Sequence, residues 1–65
     1  MIIDITRARA VRAIAADIAR RLRLCSADST QTEDIALRAL CNGHSASRAI
    51  RCAEDFAAQC RRTAW

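Results

Sequence analysis

The chain has 65 residues, a formal net charge of +4 and an isoelectric point near 9.5. This length predicts a single domain over residues 1–65, and a chain so short buries only about 60% of the surface that its unfolded form exposes. No run of eighteen apolar residues is present, which excludes a conventional transmembrane helix. Without a secretory signal, we expect a cytoplasmic protein that binds no membrane and keeps its thiols reduced.

Alanine makes up a large share of the apolar residues. Fifteen alanines match the fifteen large apolar side chains, which are Met1, seven Ile, Val11, four Leu, Phe56 and Trp65. Such a composition predicts a thin core, and small domains of this kind gain further burial from a disulfide, a metal or a partner subunit. We expect a partner subunit, and therefore a homodimer.

All eleven basic residues are arginine, and seven residues are acidic. A basic balance predicts an anionic partner. Guanidinium groups bind phosphate and carboxylate bidentately, so both nucleic acid and an acidic protein satisfy the pattern. A GC-rich genome produces the same bias toward Ala and Arg, and composition alone does not separate these explanations.

Helix 1 is predicted to start near Asp4 or Thr6, either of which can cap a helix, and to run to about Leu24. At 100° per residue one arc is apolar and the opposite arc carries arginines. The apolar arc holds Ala8, Val11, Ile14, Ala15, Ile18, Ala19 and Leu22.

Helix 2 is predicted to open with the capping-box pattern Thr30-Gln31-Thr32-Glu33 and to end at Asn42-Gly43. The polar cluster at residues 26–30 is interpreted as the break before it. This helix is apolar over most of its circumference, which places it at the centre or at an interface. The expected interface residues are Ile35, Leu37 and Leu40, with the aromatic Trp65 as an additional anchor.

Helix 3 is predicted from its N-cap Ser45 to about Arg62. Its apolar face holds Ala46, Ala49, Ile50, Cys52, Ala53, Phe56, Ala57 and Cys60. Short connections place successive helices antiparallel. The predicted fold is therefore an all-α, up-down-up three-helix bundle.

The four cysteines are Cys25, Cys41, Cys52 and Cys60. In an up-down-up bundle only Cys25 and Cys60 lie at one end, and no Cys-x2-Cys pair is present for zinc, so we expect free thiols, no metal and no cofactor. His44 is the sole histidine and has no nucleophile–base partner beyond the adjacent Ser45. We therefore expect neither catalysis nor a small-molecule substrate.

Residues 33–56 resemble a helix-turn-helix, because a short helix with Ala39 and a turn with Gly43 precede a helix that opens Ser45-Ala46-Ser47-Arg48. Leu40 to Ile50 is similar to the first half of a LuxR-type DNA-binding segment, although the following recognition helix is missing. The resemblance implies DNA contacts from Ser47, Arg48 and Arg51. His44 departs from the pattern, as do Glu54 and Asp55 after the arginine pair.

We expect Arg12, Arg20 and Arg23 to add non-specific attraction to DNA. The sequence thus predicts a non-enzymatic regulatory binding protein, with nucleic acid as the favoured partner. Its rival is a phage- or mobile-element-type inhibitor that uses the same arginines to block an acidic host protein. An ordinary helical hairpin and a membrane-surface helix are further interpretations, but helix 1 lacks the aromatics of the latter.

Overall fold

The computed structural model describes residues 4–63. Its three helices are α1 (Ile5–Arg21), α2 (Ser26–Cys41) and α3 (Ala46–Thr63), and no strand occurs in this range. The Cα atoms span 39 × 16 × 15 Å. Helices of 16–18 residues are about 24–27 Å long, so all three must lie along the long dimension. The three-helix bundle predicted from the sequence is confirmed.

The three helices pack against one another mainly through alanine side chains. The core consists of Val11, Ala15, Ala19, Thr32, Ala36, Ala39, Leu40, Ala49, Ala53 and Ala57. Val11 and Thr32 are the largest side chains among those that are almost completely buried. Alanine lets helix backbones approach closely but removes little apolar area from water, because area and transfer free energy scale together. The core is therefore as thin as the composition predicts.

Two of the three helix starts match the sequence. The Asp4 carboxylate caps α1 by accepting from the Thr6 N–H at 2.9 Å, and the Ser45 hydroxyl caps α3 by accepting from the Arg48 N–H at 3.2 Å. Both side chains satisfy backbone donors that have no partner inside the helix. α2 instead begins after Cys25, whose side chain makes no capping bond.

The predicted start of helix 2 at Thr30 is wrong, because α2 already begins at Ser26. Two of its hydroxyls bond to earlier carbonyls: the Thr32 hydroxyl donates to the Asp28 carbonyl inside the helix at 2.8 Å, and the Ser29 hydroxyl donates to the Leu24 carbonyl, just before the helix, at 3.5 Å. Hydroxyls that bond to the preceding turn are compatible with a helix interior. The cluster at residues 26–30 is therefore the first part of α2, and the Thr30 capping box does not form.

α1 also ends earlier than predicted, at Arg21 and not at Leu24. The N–H of Leu24 bonds to the Ala19 carbonyl and that of Arg23 bonds to the Arg20 carbonyl, both at 3.1 Å. These two bonds define a Schellman motif. Arg23 occupies its left-handed position with φ 56°, so the chain leaves the helix here.

α2 ends in the same motif, with Gly43 at the left-handed position. The N–H groups of His44 and Gly43 bond to the Ala39 and Leu40 carbonyls, both at 3.0 Å. The end predicted at Asn42-Gly43 is confirmed. The two connections of the bundle are consequently built alike, one on glycine and one on arginine.

The predicted apolar face of α3 is buried more completely than that of α1. Every residue of the predicted face of α3 is buried or half-buried, whereas Ile14 of α1 is 43% exposed. Its exposure shows that α1 buries a narrower stripe than the arc drawn from the sequence. Within residues 4–63, no helix combines the length and apolarity needed to cross a membrane.

The resemblance to a helix-turn-helix does not extend to the arrangement of the helices. The two helices of that motif cross at about 90–120°. α2 and α3 run along the same long dimension of a bundle only 16 × 15 Å in cross-section, which leaves no room for such a crossing. They form an antiparallel helical hairpin.

Candidate functional site

Charge is distributed unevenly over the three helices. Residues 4–23 hold six arginines and two aspartates, and residues 46–63 hold four arginines and two acids. Residues 26–41 hold three acids and the single Arg38. The basic character therefore belongs to α1 and α3, while α2 is acidic.

Arg12, Arg21 and Arg38 form ion pairs with acidic residues of the described chain. Arg12 Nε lies 3.0 Å from Glu33 Oε1, Arg21 Nη2 lies 2.8 Å from Asp17 Oδ2, and Arg38 Nε lies 2.9 Å from Asp34 Oδ2. The arginines that carry no ion pair to another residue within 4–63 are Arg7, Arg9, Arg20, Arg23, Arg48, Arg51 and Arg62. These guanidinium groups are available to a partner.

The position of an arginine along its helix determines whether its charge stabilises or opposes the helix dipole. Arg20 lies in the last turn of α1 and Arg62 in the last turn of α3, where a cation stabilises the negative end of the helix dipole. Arg7 and Arg48 are each the third residue of their helix, and neither first turn contains an acid. A cation there opposes the dipole, so folding alone does not favour it.

The N-termini of α1 and α3 lie at the same end of the bundle, because the first and third helices of an up-down-up arrangement are parallel. Asp4 partly offsets the charge at the start of α1, whereas the cap of α3 is the neutral Ser45. The positive end of the α3 dipole and its two nearby arginines thus reinforce one another. This end of α3 is the most favourable place in the described chain for an anion.

Arg48 and Arg51 line a shallow surface depression of about 250 Å³ together with Cys52 and Asp55. The two arginines are three residues apart and therefore neighbours on the helix surface. Neither has an ion pair within residues 4–63, although Asp55 follows Arg51 by one turn. Two guanidinium groups and one carboxylate therefore face the same solvent-filled space.

Not all of the residues predicted to bind DNA form one surface. Ser47 is exposed beside Arg48 and Arg51, so these three lie together. Arg12 pairs with α2, while Arg20 and Arg23 are exposed at the opposite end of the bundle. The group predicted from the sequence is thus divided into three places.

The residues predicted to form an interface are also separated. Leu40 is only 6% exposed and lies inside the core, where a partner cannot reach it. Ile35 and Leu37 are half-buried, and Trp65 lies outside the described residues. Leu37 borders α1 at a groove that also contains Ile5, which is 68% exposed.

Sequence reasoning missed Arg7, Arg9 and the exposed Ile5. Arg9 lies on the arginine-bearing arc of helix 1, where nothing distinguishes it from its neighbours, whereas Arg7 projects onto the apolar arc and was assigned no role. The lack of any acid in the first turn of α1 was a usable signal for Arg7. Ile5 lies between the two predicted starting points of helix 1, Asp4 and Thr6, and outside the predicted apolar arc, so no role was predicted for it.

All four cysteines are free thiols. Burial raises the pKa of the Cys60 thiol, and the nearby Asp28 carboxylate and Cys25 thiol raise that pKa further. The electrostatic influence of Cys25 agrees with the prediction that these two residues share one end of the bundle. No group of three or more His, Cys, Asp or Glu side chains in the part of the chain that the structure describes is placed to hold a metal ion.

Comparison with protein-family models, with curated proteins and with solved structures finds no match.

Proposed function

We propose that this protein is a non-enzymatic regulatory protein that binds nucleic acid through its phosphate backbone, using the N-terminal half of α3. The observation that carries the proposal is the position of Arg48 and Arg51, which have no ion pair within residues 4–63, at the positive end of a helix whose cap is neutral. Ser47 supplies an exposed hydroxyl beside them. Phosphate contacts of this kind position a protein on a duplex without reading its sequence.

Two physical features support a phosphate ligand. Guanidinium groups match phosphate oxygens in a bidentate geometry, and a helix N-terminus adds backbone donors and a favourable dipole. The antiparallel hairpin of α2 and α3 does not offer the crossing recognition helix of a helix-turn-helix, so the proposed contact is to the backbone. Affinity is therefore expected to depend strongly on salt and weakly on base sequence.

The experiment is a fluorescence-anisotropy titration of a 20-base-pair duplex at several salt concentrations. We expect the logarithm of the association constant to fall linearly with the logarithm of salt. Arg48→Ala and Arg51→Ala should each weaken binding and reduce the slope by about one, because each removes one phosphate contact. The double variant should lose about tenfold or more.

Arg62→Ala is the matched control, because it removes an exposed arginine from the same helix at the other end of the bundle. It should change the affinity by less than about twofold, the effect of net charge alone. Wild-type protein that binds no duplex at low salt contradicts the proposal. So does a double variant that binds as well as the wild type.

The second candidate is an inhibitor that binds an acidic host protein, and the Asp55 carboxylate favours it. This carboxylate lines the same depression as the two arginines and repels a phosphate, whereas a protein surface can offer it a cation. Affinity purification of the tagged protein from the organism that encodes it, with and without nuclease, separates the candidates. DNA lost on nuclease treatment supports the first, and one stoichiometric protein that survives nuclease supports the second.

A further inference from the structure

A groove between α1 and α2 remains apolar and open. The groove is lined by Ile5, Ala8, Arg9, Arg12 and Leu37, around a space of about 280 Å³. Ile5 is 68% exposed, the largest exposure of any bulky apolar side chain in residues 4–63. Leaving such a side chain in water forgoes most of its transfer free energy.

The groove continues toward acidic residues. A neighbouring depression shares Arg12 and Leu37 with it and is lined further by Thr30, Glu33 and Asp34. The α1 side of the combined groove thus carries arginines, and the α2 side carries carboxylates. Arg9 has no ion pair within residues 4–63, and the Asp34 side chain is 50% exposed despite its pair with Arg38.

We infer that this groove is the dimer interface, and that its occupant is the same groove of a second copy of the chain. Most soluble homo-oligomers are twofold symmetric, and a twofold interface pairs one surface with itself. When the twofold axis runs along the groove, Ile5 and Leu37 of both copies come together, and α1 of each copy lies over α2 of the other. Because Arg9 belongs to α1 and Asp34 to α2, this arrangement brings Arg9 of each copy toward Asp34 of the other, so the surface is complementary to itself in charge.

The size of the molecule is compatible with this interface. A dimer of standard size buries about 800 Å² on each partner, roughly one sixth of the 4793 Å² that the chain exposes. One side of a bundle with three sides supplies that area. The inference does not depend on nucleic-acid binding, since Arg48 and Arg51 border a different depression.

The first test is sedimentation velocity between about 1 and 100 μM, a range that covers ordinary dimer affinities. We expect a species of twice the 7.2 kDa chain mass. Ile5→Glu should weaken dimerisation at least tenfold, because each copy then buries a carboxylate. Ile14→Glu is the matched control, since it alters another exposed isoleucine of α1 that lies outside this groove, and it should leave the dimer unchanged.

The second test is a charge swap. Arg9→Asp alone and Asp34→Arg alone should each weaken the dimer about tenfold, because like charges then face each other twice across the axis. The chain that carries both substitutions should recover the wild-type affinity to within about threefold. Helical circular dichroism of each variant establishes that the fold is retained.

A chain that remains a 7.2 kDa monomer at 100 μM overturns the inference. A dimer whose affinity is unchanged by Ile5→Glu, or one that is lost in Ile14→Glu, places the interface elsewhere and also overturns it. Failure of the double swap to recover the dimer rejects the proposed orientation. Duplex binding that persists in monomeric Ile5→Glu leaves the proposed function standing, so the two proposals fail independently.

Discussion

Asp55 is the residue that most directly distinguishes the two candidate partners. Its carboxylate lies in the depression with Arg48 and Arg51, one turn after the second arginine. A carboxylate beside a phosphate costs Coulomb energy at the surface, whereas a carboxylate beside a protein cation gains a modest amount. The sign of its contribution therefore depends on what binds.

Asp55→Asn is expected to raise the affinity for a duplex about two- to fivefold at low salt, because it removes a repulsion of less than about 1 kcal/mol. The effect should shrink as salt is added, since exposed charges are screened. Anisotropy titrations at two salt concentrations measure it. Asp28→Asn makes the same change of net charge in the first turn of α2, away from the depression, and should have a smaller effect. An Asp55→Asn protein with unchanged or weaker duplex affinity speaks against phosphate in this depression.

At the scale of helices, the two Schellman motifs impose the same backbone on different residues. Gly43 reaches φ 89° without a side-chain clash, but Arg23 is held at φ 56°. For a residue with a Cβ, the left-handed region costs about 1–2 kcal/mol. Glycine avoids that cost but loses about 0.5–1 kcal/mol of chain entropy on folding. Glycine is thus the better residue at both positions.

Arg23→Gly should raise the free energy of unfolding by up to about 1 kcal/mol, while Gly43→Ala should lower it by about 1 kcal/mol. Urea unfolding followed by circular dichroism, at one fixed protein concentration, gives both values. Arg23→Ala is the control, because it removes the guanidinium but keeps the Cβ, and it should bring no comparable gain. If the alanine variant is as stable as the glycine variant, loss of a positive charge explains the effect and the backbone argument fails.

The same motifs show which helix boundaries the sequence encodes. Ser45 and the Asn42-Gly43 pair were correctly interpreted, because a serine hydroxyl caps a helix start and glycine takes the left-handed position at a helix end. The sequence does not indicate a helix end at Arg23, because arginine has no preference for the left-handed conformation that the connection imposes on it. Ser26 to Thr30 were misinterpreted because hydroxyl residues serve equally as caps and as helix interiors bonded to the preceding turn.

The candidate site was predictable to a similar extent. Arg48, Arg51 and Ser47 were found because they follow a recognisable cap on one side of a helix. Arg12 was not separable from the unpaired arginines, because its partner Glu33 lies 21 positions away and only folding brings them together. Ile14 was assigned to the core because an arc on a wheel does not state how wide a stripe the neighbouring helices cover.

At the scale of the whole molecule, the alanines pack the three helices closely together but remove little apolar area from water. Ala15, Ala36, Ala49, Ala53 and Ala57 are all fully buried, yet none contributes more than one methyl group. A small domain of this kind has a low free energy of unfolding. Association of folded chains raises that free energy by mass action. Among the large apolar side chains of residues 4–63, Ile5 is the most exposed and would gain the most from burial against a partner.

Thermal unfolding should therefore depend on protein concentration. Once the chain is dimeric, each tenfold increase adds about 1.4 kcal/mol per dimer, or about 0.7 kcal/mol per chain. For a domain of this size, 1 kcal/mol shifts the midpoint by about 4–8 °C, so we expect a rise of about 3–6 °C for each tenfold increase. Circular dichroism melts at 1, 10 and 100 μM test this.

Ile14→Glu should show the same dependence as the wild type, whereas the midpoint of Ile5→Glu should begin to rise only at protein concentrations at least about tenfold higher. The comparison is informative because stability and association are read from the same curves: a destabilised but still dimeric variant shifts all its midpoints and keeps their spacing. A wild-type midpoint that does not move with concentration means that the thin core suffices alone, and that the apolar groove between α1 and α2 contributes nothing to stability through self-association.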